Sequence, residues 1–529
     1  MITKKLMGWL DPQRLVISAL RVRPNSDFIV FRGQRLTRRQ VYSRVTALAA
    51  GLRALGVTKG DKVATLLPGS PEAVYAALLP SLLGNVNVPL NPLLGEQALR
   101  HILGDCSAKA ILVREDWYGQ DYPALLARLL PHLPALEHVI VCDGQDKGGQ
   151  RYLRLQDVMS EGTSVKPARV HRDAVVLISY TSGTTGRPKG VVHTKSRYWG
   201  LAVRSVNPRL NMRLLRCLLL PFPPYHYAGL LGVVATLLAG GRVVLMDRFD
   251  PQRVFEYVEG ERASQIAGSP TMYRWLLQLP GQERFDLSSL QRVTLSTEPC
   301  PLDLAEALHD RMGCHLENMY GATESMVISW TGPQDSWETV GTTVGRPVPG
   351  AEVRVVDDER RPVAAGQTGE IAVRTSQMMS GYHGDPALTA QVLDAGGWFY
   401  TGDLGKMDHH GYVQLVDRKK DLIIRGGENV YPAEVERHLE QHPFIRRAGV
   451  IGVPSKLSGE SVWAYLELQP GAALSAKEVL NMCRGQIAPF KIPEKVCFVD
   501  HLPTTATDKV QKHVLREMAA QETTIHVEA

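Results

Sequence analysis

Tyr180-Thr181-Ser182-Gly183-Thr184-Thr185-Gly186-Arg187-Pro188-Lys189-Gly190 departs furthest from ordinary globular composition. It places three glycines, four Ser/Thr hydroxyls and one lysine within eleven residues. Glycine leaves backbone N–H groups open to close approach, hydroxyls add donors, and an ammonium adds charge. Together they suit a polyanion such as a nucleotide triphosphate. A Walker loop would need Gly-x4-Gly-Lys-[Ser/Thr], but Lys189 lies three residues past Gly186 and precedes Gly190, so that reading fails. A polar surface turn is the ordinary alternative for any such cluster, and companion segments must decide.

The element that positions the loop is legible just upstream. Ala174-Val175-Val176-Leu177-Ile178-Ser179 is a short apolar, β-branched run that reads as a buried strand feeding directly into the glycines. Strand plus loop resembles the phosphate-binding signature of the adenylate-forming superfamily, which includes acyl-CoA synthetases, aryl-CoA ligases, luciferases and peptide-synthetase adenylation domains. The resemblance implies that Thr181, Ser182, Gly183, Thr184, Thr185, Gly186 and Lys189 hold the pyrophosphate end of ATP.

Further segments match the same family in order, across about Phe28 to Arg516. Leu220-Pro221-Phe222-Pro223-Pro224-Tyr225-His226-Tyr227-Ala228-Gly229 alone is an aromatic, proline-stiffened corner. The resemblance makes His226 a wall of the acyl pocket. No acid lies between Leu220 and Val233, where amino-acid-activating relatives carry one for the substrate amine, so an amino acid substrate is disfavoured. In Arg292-Val293-Thr294-Leu295-Ser296-Thr297-Glu298-Pro299-Cys300, Thr297 and Glu298 stand where most relatives have small residues against adenine.

Met319-Tyr320-Gly321-Ala322-Thr323-Glu324-Ser325 taken alone could open a helix with a capping threonine. Within the family pattern, Tyr320 stacks on adenine with Gly321 also at the nucleotide, Thr323 offers a hydroxyl to the α-phosphate, and Glu324 holds Mg2+. Asp403, between glycines in Gly397-Trp398-Phe399-Tyr400-Thr401-Gly402-Asp403-Leu404-Gly405, is suited to accept from two ribose hydroxyls. Arg418 reaches the nucleotide, Lys420 falls at the family's hinge, and Gly426-Gly427 would face the incoming thiol. Lys509, in Thr504-Thr505-Ala506-Thr507-Asp508-Lys509, falls at the adenylation lysine. Asp508 replaces the usual glycine, and Lys512 reads as a solvated charge.

At 529 residues the chain exceeds one hydrophobic core, so at least two domains are expected. Hydrophobic content of 44% and charged content of 22% exclude a disordered or fibrous chain, and a net charge of +6 at this length favours anionic small molecules over a nucleic-acid surface. Seven cysteines without C-x-x-C indicate neither a disulfide framework nor a zinc cluster, which fits a reducing, cytoplasmic location. The N-terminal apolar run stops at Asp11, too short for a signal-peptide core. The uncharged stretch from Ala73 to Gly95 is broken by Pro80, Pro89 and Pro92, so no transmembrane segment is expected.

Thr37-Arg38-Arg39-Gln40 is a capping-box pattern opening a helix to about Leu55, followed by strand 62–67 and a helix from Pro71. Strand and helix alternate in this way to about Leu245, the pattern of parallel α/β layers whose strand ends carry ligand loops. Val344 to Arg374 reads as a small β-barrel or sheet layer. After the charged run Asp417-Arg418-Lys419-Lys420-Asp421 a small α+β domain follows, with a helix over 433–441 and strands over 448–453 and 462–468. The expected fold is thus α/β, with layered N-terminal subdomains over residues 1–419 and a mobile C-terminal domain over 420–529.

The resemblance implies an ATP-, Mg2+- and coenzyme A-dependent acid–thiol ligase acting on a hydrophobic carboxylic acid. Three alternatives stay open. One is a half-reaction enzyme that takes a preformed adenylate to a thioester, suggested by Glu298 and Asp508. The others are a ligase loading the pantetheine of an acyl carrier protein, and a silent nucleotide-binding homologue. A homodimer is the assembly kept in view; the acid itself is beyond the sequence.

Overall fold

A computed structural model of the chain describes residues 11–117, 119–144, 152–159, 165–181, 188–205, 216–221, 224–425, 428–455, 458–484, 486–504 and 509–525. They fall into two compact units. The first runs to Glu352 and includes Val373–Phe399; the second comprises Val353–Ala372 and the chain from Tyr400.

Local chemistry sets the elements of the first unit. Helix Arg38–Ala54 starts where the Thr37 side chain accepts from Gln40 N and Gln40 returns to the Thr37 backbone, the expected capping box. It stops before Gly56, whose φ of 79° lies in the left-handed region that glycine tolerates. An eight-stranded sheet then runs in the order Gly381–Tyr382, Lys189–Thr194, Val175–Thr181, Val86–Pro89, Lys62–Leu66, Ala110–Val113, His138–Val141, Tyr152–Arg154. It is parallel from Val175–Thr181 onward. At the other edge the two strands pair antiparallel.

A second, nine-stranded sheet carries the parallel run Arg242–Leu245, Cys217–Leu220, Gln265–Gly268, Arg292–Ser296, His315–Ala322. Parallel layering therefore continues well beyond Leu245, where the sequence pattern stops showing it. The reason is buried polarity. Gln265, Arg292, Thr294 and Glu317 are all buried inside these short strands and interrupt the apolar runs that mark a parallel sheet. Arg292 Nε lies 3.2 Å from Glu317 Oε1, and Trp330 Nε1 donates to Glu317 Oε2 at 3.1 Å. Burial, opposed by the Arg292 charge and the Trp330 N–H, pushes the Glu317 carboxyl up to about 7.

The second unit holds most of a four-stranded sheet, Ala351–Val356, Gly369–Thr375, Phe399–Met407, Val413–Arg418, and a five-stranded one built on Ile445–Ser455 and Gly459–Leu468. Side chains of the latter pair alternate between two cores. Val450, Ala464 and Leu466 pack with Val435, Leu439 and Val479. Ile451 and Tyr465 pack with Leu502, Leu515 and Ala519. That alternation is the two-residue period of a strand buried on both faces. The 433–441 helix expected from sequence is Pro432–Glu440. Among the described residues no helix is long and apolar enough to cross a membrane, and all seven cysteines are free thiols.

Candidate active site

In the first unit, strands Val175–Thr181 and Lys189–Thr194 form an antiparallel pair with Thr181 opposite Lys189 and Tyr180 opposite Gly190. The glycine-rich connection between them, with Ser182, Gly183, Thr184, Thr185 and Gly186, lies outside the described residues. Its two ends are fixed. Gly190 is required by close approach, since a Cβ there would sit 2.9 Å from Ile178 Cγ2 and 3.0 Å from the Tyr180 ring. Thr181 Oγ1, buried at the end of its strand, has no partner among the described residues.

The segment 319–325 is not a helix start. Tyr320, Gly321 and Ala322 end the strand His315–Ala322, and after a turn at Thr323, Glu324 and Ser325 the chain returns as Met326–Trp330, pairing Ala322 with Met326 and Gly321 with Val327. Gly321 is there because nothing larger fits. A Cβ would fall 2.2 Å from Met326 O and 2.9 Å from Tyr227 Oη. This contact brings Tyr227 beside the turn. His226 serves as N-cap of helix Tyr227–Ala239, its Nδ1 accepting from Ala228 N, and its ring centroid lies 4.8 Å from that of Tyr227. Phe222 and Pro223 of the same corner lie outside the described residues. Next to Met319, which pairs with Ser296, the chain turns at Thr297 with φ of 78°, and Glu298 Oε2 accepts from Thr271 Oγ1 at 2.9 Å.

Three side chains converge on the turn. Lys189 Nζ lies 2.6 Å from Tyr382 Oη and 3.4 Å from Glu324 Oε1, and Tyr382 Oη donates to Glu324 Oε1 at 2.7 Å. The Lys189 ammonium also lies 4.3 Å from the Tyr382 ring centroid. Behind them, His193 Nε2 is 2.7 Å from the Thr323 carbonyl and Met379 N donates to the Glu324 carbonyl at 2.6 Å. Residue-type reading overlooks Tyr382 and His193. A Gly-Tyr dipeptide 193 residues from Lys189 carries no local signature, and His193 looks like one polar residue in a β-branched strand.

In the second unit, Asp403 and Arg418 are cross-strand partners, with Arg418 Nε 2.7 Å from Asp403 Oδ1. Gly402, with φ of 71°, donates its N–H to Glu370 Oε1 and sets the bend before Asp403. Lys420 sits in the single turn Lys419–Asp421, anchored by Arg516 on Asp421 Oδ1 at 2.8 Å. Gly426 and Gly427 lie outside the described residues, between the antiparallel strands Ile423–Arg425 and Glu428–Val430. Lys509 is half-buried, just after 505–508, a stretch outside the described residues that includes Asp508.

Lys512 corrects the sequence reading. It is not a solvated charge: its Nζ lies 2.8 Å from Glu436 Oε1 with only 15% of the side chain exposed. Burial pulls its pKa down, but the carboxylates of Glu436, Asp417 and Asp421 outweigh that and raise it.

The donor set decides which metal fits. No cluster of three or more His, Cys, Asp or Glu suited to a metal occurs among the described residues, which excludes an all-protein cage there. A single, mostly buried carboxylate, Glu324, beside a lysine suits Mg2+, which takes one or two carboxylates and fills its remaining positions with water and phosphate oxygens. Oε1 of Glu324 is engaged by Tyr382 and Lys189, while Oε2 has no donor among the described residues.

Comparison with known proteins agrees with this chemistry. The family model described as AMP-binding enzyme matches residues 18–383, and AMP-binding enzyme C-terminal domain matches 434–509. The chain is 33% identical to a putative acyl-CoA synthetase, YngI, of Bacillus subtilis, over 93% of this chain and 94% of that one. It is 36% identical to feruloyl-CoA synthase of an Amycolatopsis species, over 94% and 96%. Among solved structures, the anthranilate CoA ligase AuaEII in complex with anthranoyl-AMP superposes with a TM-score of 0.88 at 28% identity, covering 97% of this chain and 98% of that one.

Proposed function

The chain belongs to the AMP-binding enzyme family, and from that premise we propose that it joins a hydrophobic, ring-bearing or fatty carboxylic acid to coenzyme A. The coarser activity is that of an AMP-forming acid–thiol ligase using ATP, Mg2+ and coenzyme A. The observation that carries the assignment of residues is the convergence of Lys189 and Glu324, from motifs distant in sequence, within 3.4 Å.

In the first step the substrate carboxylate attacks the ATP α-phosphate in line, giving an acyl-adenylate and pyrophosphate. Lys189, Thr181 and the 182–187 loop bind the departing phosphates. Thr323 donates to the α-phosphate, Tyr320 stacks on the base above Gly321, and Asp403 with Arg418 takes the ribose. Magnesium, when bound, neutralises phosphate charge next to Glu324. Lys509 supplies an ammonium to the carboxylate and α-phosphate as negative charge gathers. In the second step a thiol attacks the activated carbonyl and AMP leaves. We assign that exchange to a hinge at Lys420 which withdraws Lys509 and presents Gly426 and Gly427. A mobile domain over 420–529 belongs to this reading.

The hydrophobic acid is supported by the absence of any carboxylate between Leu220 and Val233 and by the buried apolar helix after His226, with Tyr227, Leu230, Leu231 and Val233 all buried. Similarity to proteins named for ferulate and anthranilate supports a ring. Free thiols throughout fit a cytoplasmic setting.

The test is a carboxylic-acid panel assayed for pyrophosphate release with and without coenzyme A, repeated with Lys509→Ala. The variant is expected to lose adenylation by more than about a hundredfold while still converting added acyl-adenylate to thioester. Loss of neither activity removes Lys509 from the mechanism. A wild-type enzyme that forms thioester only from added adenylate would select the half-reaction alternative.

A further inference from the structure

Tyr382 contacts both Lys189 and Glu324, the charged residues of the candidate phosphate site, and no family motif used above includes it. Its strand, Gly381–Tyr382, is a two-residue edge piece paired to Lys189–Thr194 through Val191 opposite Tyr382. The pairing is locked by His383 N donating to Gly190 O at 2.7 Å and by Tyr382 N donating to Thr389 Oγ1 at 2.9 Å. The backbone around Tyr382 is therefore fixed to the same strand that carries Lys189, and the residue is 6% exposed.

A phenol has one proton to give and lone pairs to accept. Lys189 can only donate, so at 2.6 Å Tyr382 Oη accepts from Nζ. Ionised Glu324 can only accept, so at 2.7 Å the Tyr382 proton goes to Oε1. Tyr382 thus orders the cation and the anion with one hydroxyl. It holds the Glu324 carboxylate by Oε1, leaving Oε2 without a protein donor among the described residues.

We propose that Tyr382 is a positioning residue for the magnesium-bound triphosphate: its hydroxyl fixes the Glu324 carboxylate with one oxygen available to the ion and holds Lys189 beside it. This rests on the reading of Glu324 and Lys189 given above. Outer groups that orient a metal's carboxylate ligand typically change metal affinity by about 10- to 100-fold. A side chain that served only to fill space would weaken every nucleotide alike or lower thermal stability instead.

The test is calorimetric binding of MgATP without acid, and of AMP without magnesium, to the full-length wild type, Tyr382→Phe, Glu324→Gln and the double variant. Phenylalanine keeps the ring and removes only the hydroxyl. Tyr382→Phe is expected to weaken MgATP about tenfold or more, leave AMP within about twofold, and unfold within about 2 °C of wild type. Adding it to Glu324→Gln should cost less than it does in the wild type, because part of its effect runs through that carboxylate. Unchanged MgATP affinity, equal weakening of AMP and MgATP, or additive losses in the double variant would each overturn the proposal while the site reading stands. If Glu324→Gln itself leaves MgATP affinity unchanged, the site reading fails and this inference fails with it.

Discussion

His193 donates from Nε2 to the Thr323 carbonyl at 2.7 Å and is fully buried, so one ring ties the strand after the glycine-rich loop to the turn that carries Glu324. Burial, partly offset by that hydrogen bond, lowers its pKa from 6.5 to about 4. Between those values the unfolded chain holds a proton that the native chain refuses. Stability is therefore complete above pH 6.5 and falls as pH drops toward 4. A shift of this size corresponds to about 3 kcal/mol. His193→Gln keeps an N–H donor and has no ring to titrate, so urea unfolding followed from pH 4.5 to 7 should show a flatter dependence than wild type, and an identical slope would refute it. Lys509 and Lys512, three residues apart, teach a related lesson. Their shared chemistry does not tell them apart, and Lys512 is in fact held by Glu436.

The hairpin formed by His315–Ala322 and Met326–Trp330 is the element on which the nucleotide reading turns. Its tight return needs a glycine at 321 because the Met326 carbonyl occupies the space a side chain would take, 2.2 Å from an added Cβ. Gly321→Ala must therefore displace Met326 or Tyr227. The expected cost is about 1–3 kcal/mol of stability, seen as a lower thermal midpoint, together with a greater loss of acid-dependent ATP–pyrophosphate exchange. Wild-type values for both would mean the hairpin can relax freely. The local signals of this element were readable: Tyr320 to Glu324 match the family segment in one-dimensional order. Its strand-turn-strand shape was not, because Thr323-Glu324 also reads as a helix N-terminus and only pairing with Met326–Trp330 excludes that.

At the scale of the molecule, the proposed alternation between two half-reactions places its pivot at Lys420, within the short turn Lys419–Asp421. Proline fixes φ near −65° and removes an N–H, so Lys420→Pro restricts rotation there. The variant is expected to keep acid-dependent pyrophosphate exchange while thioester formation from supplied adenylate slows by at least about tenfold. Equal loss of both steps, or of neither, would move the pivot elsewhere. The Lys509→Ala assay complements it, since it targets the opposite step.

The amino-acid sequence by itself determined the kind of chemistry and the family. Phosphate binding demands glycines, hydroxyls and a lysine at short range, so Thr181 to Lys189 stands out locally, and the family resemblance adds Tyr320 to Glu324, Asp403 and Lys509 as the proposed companions. Only the tertiary structure decided that Tyr382 and His193 belong with them, that Arg292 and Glu317 share a buried pair, and that Lys512 is enclosed. These depend on which strand lies at a sheet edge and which side chain loses its water, and both are set by packing between segments far apart in the chain.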